Sequence, residues 1–166
     1  GFTTGLVFPA MADSGADKTA NGGKNPAPSQ ESLVLPATLG KIPFGSQSYA
    51  EFKDINIIPD STGKTVSFTV HIYNGEAAEL NLIDYWVTLH SKGGTQFSTR
   101  LVSNDREKSG IPSKSSDQLK FYAHINDQTN LTDLVFRFIR WDFSQPNFER
   151  VLGSLTVPDS YKNVTP

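Results

Sequence analysis

The sequence predicts an all-β chain folded as an antiparallel β-sandwich of about seven strands. Three observations predict it. From Tyr49 onward, apolar and polar residues alternate with a period of two, which sorts side chains onto the two faces of a sheet. The alternating runs are short and are separated by glycine, asparagine and proline turns. No segment carries the apolar stripe of an amphipathic helix.

The elements follow in order. Ser32 to Phe44 is broken by Pro36, Gly40 and Pro43 and accommodates at most an edge strand around Leu33-Val34-Leu35, because proline is confined to sheet edges. Tyr49 to Ile58 forms the first long strand, and Asp60 to Gly63 turns it back as a hairpin. Val66, Phe68, Val70 and Ile72 then alternate with Ser67, Thr69, His71 and Tyr73, and Asn74-Gly75 supplies a turn that tolerates positive φ. Ile83, Tyr85, Val87 and Leu89 alternate with Asp84, Trp86, Thr88 and His90. Ser91 to Gly94 turns the chain into a strand from Gln96 to Val102. Leu119, Phe121, Ala123 and Ile125 alternate with Gln118, Lys120, Tyr122 and His124. Asn126 to Asp133 has room for a single helical turn before Leu134, Phe136 and Phe138, and a last strand runs from Phe148 to Val157. The expected core is Phe68, Val70, Tyr85, Val87, Phe121, Phe136 and Phe138. About seven strands is the number expected of an immunoglobulin-like sandwich.

The 166 residues fit one domain, read as 31–166. Ahead of it, residues 13–30 contain no aromatic or branched aliphatic side chain, so they bury too little to offset ordering entropy and are expected to be a flexible tether without a site. Residues 1–12 are apolar. Ala10-Met11-Ala12 has the small-x-small form of a signal-peptidase site, followed by the polar Asp13-Ser14-Gly15, so the segment is expected to be an export-signal remnant or an extra strand.

Composition narrows the function. The near-neutral net charge of -2 argues against nucleic acid, whose phosphates need a basic face, and against electrostatic docking to an anionic membrane. No apolar run reaches the roughly 18 residues of a membrane span. With no cysteine, disulfides, thiolate metal sites and cysteine nucleophiles are excluded. Gly63-Lys64-Thr65 ends like a phosphate-binding loop, but the required first glycine is Ile58 and a strand follows where a helix is needed. His71, His90 and His124 lie on three strands at solvent-side positions without ligand spacing, so no metal and no cofactor is expected. There is no Gly-x-Ser-x-Gly elbow. The charged run Asp105-Arg106-Glu107-Lys108 is expected to be a solvated loop. The chain is therefore expected not to be an enzyme.

One strand asks for a partner. Leu134 to Trp141 is apolar on both faces. If Leu134, Phe136 and Phe138 face the core, Val135, Ile139 and Trp141 point outward with Arg137 among them. In a sandwich of this type the neighbouring strand bears Trp86 and His90, so the candidate binding residues are Trp86, His90, Val135, Arg137, Ile139 and Trp141. This outer face is expected to be covered, either by residues 1–12 or by a second molecule: another subunit, in a self-association, another domain or a glycan.

Two stretches, Tyr85 to Gly94 with the glycine turn before Phe97, and Ile111-Pro112-Ser113-Lys114-Ser115-Ser116-Asp117-Gln118-Leu119-Lys120-Phe121, resemble the immunoglobulin-like (telokin-like) domains of Gram-positive secreted proteins and lipoproteins. The antibody-type cysteine pair is absent, and Trp86 falls on the outer face where an immunoglobulin core tryptophan points inward. The resemblance implies an extracellular or cell-surface binding or adhesion module without catalytic residues, whose partner is an unknown protein or a glycan. The alternatives are a carbohydrate-binding module stacking sugars on Trp86, Trp141 and Tyr122, or an accessory domain of a secreted enzyme.

Overall fold

The structure, a computed structural model, describes residues 33–34, 36–125 and 129–158. The regions 1–12 and 13–30, with the export signal and tether expected there, lie outside the described residues. The chain is an all-β sandwich. Its strands are β1 (Leu33–Val34), β2 (Thr38–Phe44), β3 (Ser48–Asp60), β4 (Gly63–Asn74), β5 (Leu80–Asn81), β6 (Tyr85–Ser91), β7 (Gln96–Phe97), β8 (Thr99–Leu101), β9 (Gly110–Ile111), β10 (Ser115–Ile125), β11 (Leu134–Trp141) and β12 (Glu149–Thr156). One sheet has the order β1-β3-β4-β10-β8, with β2 also on β3; the other has the order β12-β11-β6-β7. A two-residue ladder of β5 and β9 stands apart from both.

The alternation predicted from the sequence places the core. Phe68, Val70, Val87, Phe121, Phe136 and Phe138 are buried as expected, while Tyr85 is half-buried. Phe68 lies between Phe52 and Phe121, stacked at 6.0 and 5.7 Å, and meets Phe136 of the opposite sheet edge-on at 5.0 Å. Rings in these geometries contribute beyond the area they bury.

Several local expectations change. Besides the edge strand at Leu33–Val34, a longer strand forms over Thr38–Phe44 despite Gly40 and Pro43. It lies at the rim of its sheet, where proline's missing N–H costs no ladder bond. The two strands share one border of β3, β2 beside its first half and β1 beside its second; between them β3 bulges around Asp54, whose φ is 55°. The single strand expected from Gln96 to Val102 is two, β7 and β8, in different sheets. Gly75 does not adopt positive φ. It is needed because a Cβ there would run into the backbone of Gln47. Leu131–Asp133 forms a short 3₁₀ turn at the end of the segment where a helical turn was expected.

The turn beside Gly75 is held by Glu76. Its carboxylate accepts the Ser48 and Ser46 hydroxyls at 2.6 and 2.7 Å and the Gln47 N–H at 3.0 Å, and these bonds hold its pKa down at about 2.

The two sides of the sandwich differ. On one, β2 lies against β12, with Ile42 so close to Gly153 that a Cβ there would come within 2.6 Å of its Cγ2. On the other, β6 pairs with β7 only at Leu89↔Phe97 and His90↔Gln96. The chain then leaves for the opposite sheet as β8, tied back by the Thr99 hydroxyl, which donates to the Val87 carbonyl at 2.6 Å. Among the described residues, Tyr85–Thr88 has no strand neighbour on that side, and the layer between the sheets is open there.

Candidate functional site

At this open edge lies a cleft of about 610 Å³. Ile72, Leu119 and Phe121 line it from one sheet, Val87 and Phe138 from the other, and Trp86 and Leu101 form its walls. The volume is in the range of small-molecule sites, as is a mainly apolar wall with a few polar groups at its rim. Its lips are the turn Leu82–Asp84 and the loop from Asp105 to Ser109.

Short-range chemistry builds both lips. Asn81 caps the turn, its Oδ1 accepting the Ile83 N–H at 3.3 Å, and the Tyr85 N–H closes it on the Leu82 carbonyl. This leaves Ile83 76% exposed at the cleft mouth. The Leu82 N–H donates to the Ser109 carbonyl at 2.9 Å and joins one lip to the other.

The charged run Asp105-Arg106-Glu107-Lys108 is therefore a wall of the cleft, not merely the solvated loop expected from its composition. Asp105 accepts the Lys120 N–H at 2.7 Å and pairs with Lys108 at 3.0 Å. Burial pushes its carboxyl pKa up, but the Lys120 amide and Lys108 outweigh this and hold it below the usual value. Burial likewise works against the Lys108 charge, and Asp105 and Asp117, the latter at 3.1 Å, raise its pKa in spite of it. The Lys108 ammonium also donates to the Gln118 carbonyl at 2.7 Å. Arg106 donates through Nε to the Leu101 carbonyl at 3.3 Å. A general acid needs a raised carboxyl pKa, which is the opposite of what Asp105 has.

The six residues singled out from the sequence are distributed as follows. Register brings Trp86 beside Ile139, Thr88 beside Arg137 and His90 beside Val135, as the strand adjacency required. The face they form is not a bare apolar platform. Ile139 is 0% exposed, and Val135, Arg137 and His90 are half-buried. Residues 1–12, one of the covers considered for this face, lie outside the described residues. His90 Nε2 lies 2.9 Å from the Thr88 hydroxyl, and burial first, then Arg137, lowers its pKa. Trp86, expected to point outward, instead packs edge-on against the core ring of Phe121 at 5.4 Å. The missing strand neighbour leaves the inter-sheet edge open for an indole to close. Trp141, 39% exposed, lines the same cleft. It precedes a turn fastened by Asp142, which the Ser144 hydroxyl and Arg150 hold at a pKa of about 2. Tyr122 lines a separate shallow pocket with His124 and Arg100, so it does not join the two tryptophans in one platform.

Of the histidines, expected all to be exposed, only His124 is; His71 and His90 are half-buried, and His71 Nδ1 has no hydrogen-bond partner among the described residues. His124 has Asp60 at 3.6 Å and the Thr62 hydroxyl at 3.5 Å. The Asp60 carboxylate serves the hairpin turn, accepting the Thr62 N–H at 2.8 Å. No group of three or more metal-ligating side chains occurs among the described residues, and no helix there is long and apolar enough to cross a membrane.

Compared with protein-family models, curated proteins and solved structures, the chain gives no significant match to any of them.

Proposed function

We propose that this chain is a non-catalytic binding module of the cell exterior that takes an apolar ligand into the cleft at the open edge of its sandwich. The observation that carries the reading is the cleft itself. It is walled by Trp86, Leu101 and Phe121 and reaches the layer between the sheets where, among the described residues, Tyr85–Thr88 has no strand neighbour on that side. Its half-buried carboxylate, Asp105, is committed to Lys108 and the Lys120 amide, which favours binding over acid–base chemistry.

The immunoglobulin-like assignment is supported by strand order. The sequences β3-β4-β10-β8 and β12-β11-β6-β7 correspond to the A-B-E-D and G-F-C-C′ orders of such sandwiches. Placement outside the cell is supported by the apolar residues ending in Ala10-Met11-Ala12.

The test uses N-phenyl-1-naphthylamine, a neutral dye that brightens in apolar surroundings. The native protein should enhance its emission saturably. Leu101→Trp, which fills the cleft from a half-buried wall position, should abolish the enhancement and leave the melting temperature in place. Equal enhancement by the variant would show that the dye binds elsewhere and overturn the reading.

A further inference from the structure

We infer that the ligand of this cleft is a small monocarboxylate with an apolar body, its carboxylate held by Arg106; the inference rests on the cleft being the binding site. Four charged side chains line the cleft at its loop wall: Asp105, Arg106, Glu107 and Lys108. Asp105 and Lys108 are paired at 3.0 Å; the three N–H groups of Lys108 are engaged by Asp105, Asp117 and the Gln118 carbonyl, and the charge of Asp105 is met by Lys108 and the Lys120 N–H.

Arg106 differs. Its only hydrogen bond among the described residues is from Nε to the Leu101 carbonyl, and no carboxylate among them pairs with it. Both terminal nitrogens of the guanidinium are left, in the fork geometry that matches a carboxylate. The Nε bond ties the group to the strand whose Leu101 side chain forms the apolar wall. The bond holds the exposed guanidinium at the loop wall of the cleft, within reach of the head group of an apolar body inside it. Glu107 beside it also lacks an ion pair among the described residues, but no hydrogen bond fixes it to the cleft wall. The preorganised group is the cation, and preorganisation decides which head group gains affinity.

Both tryptophans of the chain, Trp86 and Trp141, line the cleft, so intrinsic fluorescence reports on it directly. The probes are octanoate, its neutral isostere octanamide, and octylamine. Octanoate should bind about tenfold more tightly than octanamide, the scale of one charge-assisted hydrogen-bonded pair. Arg106→Gln should remove that advantage while leaving octanamide affinity as it was. Equal binding of octanoate and octanamide, tighter binding of octylamine, or an octanoate preference that survives Arg106→Gln would each overturn the inference. If the naphthylamine dye binds in the cleft and none of the three probes does, the inference fails and the binding reading stands. If the dye also fails, the reading falls with it.

Discussion

Phe136→Ala should cost about 3–5 kcal/mol, the range for removing a fully buried aromatic ring. In a domain of this size that corresponds to a fall in melting temperature of about 10 °C or more. Phe136 is 0% exposed and is the ring through which β11 reaches across the sandwich, edge-on to Phe68 at 5.0 Å and to Phe52 at 6.2 Å. Its loss leaves a void between sheets that are fixed in spacing by their other residues. The neighbouring phenylalanines therefore have little freedom to collapse into it. Thermal melts of the two proteins decide the matter: a variant melting within about 2 °C of the parent would remove Phe136 from the core.

Gly63→Ala should be the other severe change. Gly63 opens β4 with φ 145°, and a Cβ there would run into the Ile125 carbonyl oxygen. The backbone strain of an L residue and the overpacking add, for a cost of about 3–5 kcal/mol. Gly94→Ala separates the two contributions. Gly94 also has positive φ, at 104°, but nothing lies within 4 Å of its would-be Cβ. It should lose only about 1–2 kcal/mol. Equal losses in denaturant melts of the two variants would mean that the close approach of the β3–β4 hairpin to Ile125 contributes nothing.

What could be read in the sequence was whatever period-two alternation governs. Val66 to Ile72 and Leu119 to Ile125 alternate without interruption, and both the strands and their buried faces follow. The neighbouring positions of Trp86, His90, Val135, Arg137 and Ile139 followed as well, because strand adjacency and register fix them. Three features depend on the third dimension and were hidden. β2 contains Gly40 and Pro43, which weaken any strand signal, and it forms because a sheet edge tolerates them. Ser98 carries the chain from one sheet to the other inside what looks like a single strand. That switch removes the neighbour of Tyr85–Thr88, opens the cleft, and lets Trp86 close on Phe121 although alternation points it outward. The run from Asp105 to Lys108 has the composition of a solvated loop. Only its position, flanked by Leu101-Val102 and Gly110-Ile111, hinted that it borders apolar surface.

The proposed site of binding is the open edge between the sheets. Backbone amide chemical-shift mapping during titration with N-phenyl-1-naphthylamine tests it most directly. The predicted shifts centre on Trp86, Val87, Leu101, Arg106, Leu119 and Phe121, with His90, Val135 and Arg137 unmoved. Shifts gathered on His90, Val135 and Arg137, with the cleft residues silent, would contradict it and return the binding surface to the outer face of the β12-β11-β6-β7 sheet.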